Sequence, residues 1–423
     1  MLCRLPYDDR YLNLRLPAIS GARIIGDRLP PPLPDPEGAI VHALARPVDS
    51  PPLEALVPRS GNISVLISDV TRGGGLRIVL HTVLMNLERA GAGPERVEIM
   101  LAMGMHRGHS PEEVTRHLGA DVMTRWTVVE HDARDEESLV DLGATPAGTP
   151  CFFSSRVVSS ALVVCLGTLS FHYFAGFGGG RKLILPGVAA ERTIVANHRL
   201  SLRTDPGGGL AEGCAPGNLD GNPVHEDMLA GAGLLAMPVF AVNMIHDAAG
   251  ALIFVNGGDL AGSHRLACDR FAGLFTVPID RAYRTVIVSA GGYPKDINLL
   301  QSHKAIRHAS YALEAGGTML AVAACREGIG SISYGEAFSD GREAVPAKVR
   351  RRYTLNAQTA VSTYQLTGCY DIHLASMLPE GEAARFGFTP FRTERAADLL
   401  TGMRPGDILI IRNGSLFLPR LSR

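Results

Sequence analysis

No apolar run in the 423-residue sequence approaches the roughly 20 residues that span a bilayer, so a membrane-spanning helix is not expected. Charge of either sign is not in excess. Lys and Arg number 41 against 42 Asp and Glu, a formal net charge of -1, which gives no electrostatic reason to expect a nucleic acid or an anionic membrane as partner. The seven cysteines (Cys3, Cys151, Cys165, Cys214, Cys268, Cys325 and Cys369) are scattered, odd in number and without a CxxC pair, so neither a disulfide framework nor a zinc-thiolate site is expected. The opening MLCRLPYDDRYLNL lacks a basic segment followed by an apolar stretch, and a cytoplasmic protein is the expectation.

What is present is an α/β pattern. The length exceeds what one hydrophobic core usually supports, which predicts two domains. NISVLIS at 62–68 reads as a buried strand, LRIVLHTVLMNLERAG as the helix after it, and VEIMLA as a second strand. In SPEEVTRHLG, Ser110, Pro111 and Glu113 stand in the order of a capping box with proline at the first helical position. Further strands are expected at WTVVE, ALVVCLG, PVFAVNMI and ALIFV, and a helix at 259–274. A second series runs from TVIVSAG through the helix INLLQSHKAIRHASYALEAGG and the strand TMLAVAA to DILIIRN. The alternation predicts two α/β domains with mostly parallel sheets, residues 1–275 and 283–423, with LPPPLPDPEG as a surface connection.

Ligands of open α/β sheets bind beyond the carboxyl ends of the strands, where Asp69, Arg72, His106 and His172 fall. The segment FHYFAGFGGGRKLILPG at 171–187 fails as a phosphate loop, because Arg181 and Leu183 flank Lys182 where glycine and a hydroxyl residue are required. Its glycines, Gly178, Gly179 and Gly180, would let backbone approach a bulky ligand. Lys182 reads equally as a partly buried amine with covalent chemistry or as a solvated loop cation. His198, in ERTIVANHRL, has no HxH or HxxxH partner and would bind metal only with ligands from a cofactor or distant chain. Gln301 and Lys304 share a helix face at i, i+3, with His303 directed elsewhere.

In order along the chain, SDVTR (68–72), GMHR (104–107), HYFAGFGGGRKLILPG (172–187), ANH (196–198), GNPVHE (221–226) and GGYPKDINLLQSHK (291–304) resemble the nickel-pincer-nucleotide-dependent lactate racemase family. The resemblance implies an active site in the interdomain cleft and a covalently held nickel-pincer nucleotide on Lys182. It implies His198 as the protein ligand of nickel, with the other donors from the cofactor. His106 and His172 match the acid/base pair, and Arg72, Lys304 and Gln301 the substrate-binding positions. Asp69, Thr71 and the three glycines match positions beside the cofactor. The implied reaction is racemisation or epimerisation of a 2-hydroxy acid through a 2-keto acid, by hydride transfer coupled to proton transfer, in a protein matured by cofactor-building enzymes. Lactate-specific members carry a tryptophan near the substrate in the second domain. Here the only tryptophan is Trp126, and Tyr364 in VSTYQLTG lies in the corresponding region, which leaves open, beside lactate, a larger or more polar 2-hydroxy acid or a sugar acid as substrate. Two other readings stand beside this one: a carrier that keeps the cofactor without turnover, and a metal-independent nucleotide or sugar-phosphate enzyme. Arg181, His109, His131 and His225 have no assigned role.

Overall fold

NISVLIS forms the strand Ile63–Ser68, and its side chains are buried along nearly its whole length, as expected for a strand covered on both faces. The computed structural model describes residues 2–15, 22–27, 29–70, 75–205, 208–247, 250–401 and 403–422. The strand lies inside a six-stranded sheet ordered Leu252–Asp259, Val239–His246, Leu162–Thr168, Ile63–Ser68, Val97–Ala102, Thr127–Glu130. Every pair is parallel except the first, which is an antiparallel edge. A second six-stranded sheet is parallel throughout, ordered Thr389–Pro390, Asp371–Ala375, Leu313–Val322, Tyr283–Ser289, Ile408–Ile411, Arg23–Ile25. The α/β class with mostly parallel sheets is therefore as expected. The capping box forms too: Ser110 Oγ accepts from the Glu113 N–H, and a Glu113 carboxylate oxygen accepts from the Ser110 N–H.

Strand order reverses at one place in each sheet. In the first, the chain builds outward from Ile63–Ser68 to one side and then returns to add Leu162–Thr168 on the other. In the second the reversal lies between Tyr283–Ser289 and Ile408–Ile411. Loops leaving the carboxyl ends of strands at such a reversal diverge and open a crevice. The motifs SDVTR, HYFAGFGGGRK and GGYPKD all leave strand ends at these two places.

Three features depart from the sequence expectation. Residues 2–27 do not belong with the first sheet: Leu2–Tyr7 and Arg10–Arg15 form a hairpin, and Arg23–Ile25 is the edge of the second sheet. Leu5 and Leu14 pack with Ile287, Leu320 and Ile410, and buried Asp296 accepts the Asp8 N–H at 2.7 Å. A three-residue strand has too little periodicity to be read from sequence. The helix after GGYPKD ends at Ser310, and LEAGG already belongs to the strand Leu313–Val322. There the register shifts between Tyr283↔Leu313 and Thr285↔Thr318, an irregularity that Gly316 permits with φ +70°. Finally, residues following Phe275 pass at once into Thr276–Ile279, which pairs with Leu418–Leu421 near the end of the chain. One apolar cluster, with Phe171, Phe177 and Phe271 on one side and Val286, Ile306 and Leu418 on the other, joins both halves. Among the described residues no helix is long and apolar enough to cross a membrane.

Several histidines are buried in this framework with depressed pKa values, His225, His246, His303 and His308 among them. Burial is the main cause in each, pushing His225 and His303 down to about 3 and His246 and His308 to about 4; the cations Arg181 beside His225 and Arg307 beside His303 add to it. Between the folded values and the ordinary one of 6.5, the unfolded chain binds protons that the folded chain does not, so stability is present above pH 6.5 and falls as pH drops toward 4. Each such group changes the unfolding free energy by up to about 1.4 kcal/mol per pH unit in that window. We predict that urea unfolding at about pH 5 takes up several protons, with stability falling steeply below pH 6.5; an unchanged midpoint from pH 7 to 4.5 would contradict the burial of these rings.

Candidate functional site

The two sheet ends first bring Asp69 and His106 together. Asp69 follows Ile63–Ser68 and is buried; His106 follows Val97–Ala102 in a turn closed by its own N–H on the Met103 carbonyl. A carboxylate oxygen of Asp69 bonds His106 Nδ1, while the His106 side chain stays 43% exposed. An ionised carboxylate only accepts, so Nδ1 carries a hydrogen, and in the neutral ring the lone pair is on Nε2. The same turn is tied to the lysine segment, because the Gly104 N–H donates to the Gly187 carbonyl at 2.9 Å. Thr71 and Arg72 lie outside the described residues.

Beyond Leu162–Thr168 the chain folds back on itself. Phe171–His172 pairs antiparallel with Gly176–Phe177, and the residues between them make a tight turn. A 3-10 turn, Gly180–Leu183, follows and carries Lys182; the helix Glu191–Arg199 then carries His198. Phe174 sits at the centre of the result. The His172 ring lies edge-on to it at 4.5 Å, the His198 ring at 5.1 Å, and Lys182 Nζ is 5.7 Å from its centroid. All three residues are buried. From the second half, Thr359 Oγ1 bonds the Tyr173 hydroxyl at 2.6 Å and the His303 ring meets the Tyr173 ring at 5.0 Å. Helices of the second half, Leu299–Ser310 and Ala357–Cys369, thus meet the loop that leaves the first sheet.

The polar shell around His198 is complete and directional. Asn197 Nδ2 donates to Asp227 Oδ2 at 2.8 Å and to the Val224 carbonyl at 3.2 Å, which turns its Oδ1 toward His198 Nδ1 at 3.1 Å. Asp227 is itself held by the hydroxyls of Thr145 and Thr149. With Nδ1–H committed to Asn197, the donor atom left to the ring is Nε2, the arrangement that orients a metal-ligating histidine. Burial, reinforced by Lys182, pushes the His198 pKa down to about 3, so the ring is neutral at working pH, as a ligand must be. Among the described residues no group of three or more His, Cys, Asp or Glu side chains could hold a metal ion. A metal at His198 would therefore draw its other donors from a bound group, and the residues present fit a cofactor that brings them.

Other sequence candidates fall elsewhere, or act for a different reason. The glycine run is required by packing within the protein: a Cβ on Gly178 would stand 2.8 Å from Ser170 Oγ, on Gly179 3.2 Å from the Thr168 carbonyl, and on Gly180 2.5 Å from His264 Cδ2. Close approach of the loop to its own sheet and to the helix Gly262–Phe275 is itself a reason for glycine at these positions. Arg181 is neither solvated nor directed at an external phosphate; it is fully buried and donates to carbonyls of its own loop. Tyr364 bonds Glu343 with its hydroxyl, and it is Thr359, five residues earlier on the helix Ala357–Cys369, that reaches the crevice. Five residues turn a helix by about 140°, which separates the two faces. His303, expected on a different face from Gln301 and Lys304, meets the Tyr173 ring. Lys304 Nζ donates to Gln301 Oε1 at 2.7 Å, as the shared face requires. His109 pairs with Glu130, and His131 donates to the Ala189 carbonyl at 3.0 Å, both holding loops. In GNPVHE the working residue is Asn222, which caps the helix Pro223–Ala232 and donates to the Phe174 carbonyl at 2.9 Å. Sequence reading missed Phe174, Asn197, Asn222 and Asp227; the first three lie inside the matched motifs, and Asp227 directly follows one.

Comparison with known proteins agrees with this arrangement. Residues 7–208 match the lactate racemase N-terminal domain and residues 280–366 the lactate racemase C-terminal domain. The lactate racemase of Lactiplantibacillus plantarum is 32% identical over 334 residues, 77% of this chain and 75% of that protein. That of Thermoanaerobacterium thermosaccharolyticum is 31% identical over 307 residues, 73% of this chain and 70% of that protein. The solved lactate racemase apoprotein of the latter organism superposes with a TM-score of 0.88 at 26% identity, covering 99% of this chain and all of that one. A crystal structure of a Thermotoga maritima protein, 18% identical with a TM-score of 0.69 over 93% of this chain and all of that one, shares the fold. With two matched domains, a relative one-third identical over most of both chains and a common architecture, this protein belongs to the lactate racemase family, whose named members are isomerases.

Proposed function

We propose that this protein is a racemase or epimerase of a 2-hydroxy acid that works with a nickel-pincer nucleotide anchored on Lys182. The observation that carries the reading is the gathering of His172, Lys182 and His198 around Phe174, with all three buried and His198 neutral and oriented. When bound, that group supplies a hydride acceptor. His198 Nε2 would ligate the nickel, and the Lys182 amine would form the covalent link made by the cofactor-building enzymes. Asp69, Thr71 and the backbone of Gly178, Gly179 and Gly180 would lie beside it.

The protein's own part is proton transfer and orientation. His106, with Nδ1–H held by Asp69, keeps its Nε2 lone pair for the hydroxyl proton of one stereoisomer. His172 serves the other. One histidine would take the hydroxyl proton as the alcohol is oxidised to a 2-keto acid, the bound group supplying the hydride acceptor, and the other would give a proton to the oxygen when the alcohol is re-formed from the opposite face. Two groups are needed because the two stereoisomers present their hydroxyls in different places. Arg72, Lys304 and Gln301 would hold the substrate carboxylate, Gln301 already orienting the Lys304 ammonium. Burial of Tyr173 and Phe174 beside the site limits water at the reacting centre.

Two predictions follow from these roles. His106→Ala and His172→Ala should each lower kcat by about 10²- to 10⁴-fold in assays of chiral 2-hydroxy acids, with nickel per chain unchanged. Loss of nickel in either variant would assign that histidine to cofactor retention instead. Protein produced with cofactor-building enzymes should show an added mass on the peptide containing Lys182, absent in Lys182→Ala; full activity with unmodified Lys182 would refute the anchor.

A further inference from the structure

Arg181 is the largest side chain with no exposure at all, and no carboxylate among the described residues pairs with it. A buried guanidinium is costly unless its donors are used. Here the two terminal nitrogens are used on the loop itself, while Nε has no partner: Nη2 donates to the Ala175 carbonyl at 2.7 Å, Nη1 donates to the Phe177 carbonyl at 3.1 Å, and Nη1 lies 3.1 Å from His264 Nε2. Ala175 is held at one end by Arg181 and holds something at the other. Its N–H donates to His172 Nδ1 at 3.3 Å. A ring nitrogen that accepts from a backbone N–H carries no hydrogen, so neutral His172 bears its proton on Nε2. His106, donating from Nδ1 to Asp69, is the opposite tautomer.

We infer that Arg181 is a positioning residue: through Ala175 it sets the resting tautomer of His172, so that the two histidines start unlike, His106 offering a lone pair at Nε2 and His172 an N–H. For His172 to accept a proton at Nε2, that nitrogen must first give up the hydrogen it carries while Nδ1 gains one and releases the Ala175 N–H. The inference rests on His172 being the second acid/base group only for its catalytic consequence; the tautomer itself is a property of the protein without cofactor.

The test is therefore made on cofactor-free protein. Two-bond ¹H–¹⁵N correlation spectra of ¹⁵N-histidine protein, recorded at about pH 8.5 where an ordinary imidazole of pKa about 6.5 is neutral, report each tautomer. His172 is assigned by its loss in His172→Gln. The expected result is an Nε2–H tautomer in the wild type, a mixture in Arg181→Met, and partial recovery in Arg181→Lys, which keeps one donor. His264→Gln leaves the carbonyl bonds of Arg181 in place and should leave the His172 tautomer unchanged. Nδ1–H in the wild type overturns the inference without any variant. So does an unchanged tautomer in both folded Arg181 variants, or a shift in His264→Gln equal to that in Arg181→Met. If the tautomer behaves as expected but His172→Ala retains full turnover, the inference about Arg181 stands and the catalytic role of His172 falls.

Discussion

The segment from His172 to Lys182 has to double back over the carboxyl end of the first sheet, and the capture of two of its carbonyls by one buried guanidinium holds it there. Arg181 adds a side-chain donor to the Phe177 carbonyl and a second donor to the Ala175 carbonyl, which also accepts the Phe177 N–H at 2.9 Å. With them, Phe174 is presented at the middle of the crevice, and Asn222 fixes the carbonyl of that same residue from the opposite side. The glycines complete the constraint, since any side chain on them would push the loop off the strand and helix it lies against.

Everything that faces the crevice is referred to that loop. His198 arrives on the next helix, its ring set by Asn197 and, behind it, by Asp227 and two threonines, a chain of bonds that ends in the turn between Leu139–Ala144 and Pro150–Ser154, a two-stranded sheet of its own. The second half meets the loop through Tyr173, which Thr359 bonds and His303 packs against. A shared apolar cluster lies beneath. The crevice is therefore a seam between two sheets whose separation is set by packed side chains rather than by a linker.

Much of this was legible in the sequence, and the reasons for what was not are physical. Strands buried on both faces appear as unbroken apolar runs, so NISVLIS, VEIMLA and ALVVCLG were placed to within a residue or two. Residues at the ends of such strands, Asp69 and His106, could be singled out by position, and their mutual bond follows from adjacency in the sheet. Order and spacing of motifs pointed to the family. Long-range partners left no local trace: a buried arginine looks like a solvated one in one dimension, and the role of Asp227 depends on Asn197, thirty residues away. The glycine run could be recognised as a close approach, but not what approaches. Where the Tyr364 and Thr359 side chains reach depends on which face of their helix meets the other half of the molecule, which no local pattern records.

The central claim is that one neutral, oriented histidine is the protein's whole contribution to the metal at this site. X-ray absorption at the nickel edge on cofactor-loaded protein tests it most directly. The account predicts scattering from a single imidazole in the wild type and its loss in His198→Ala; two or more imidazoles, or a spectrum unaltered by that substitution, would contradict it.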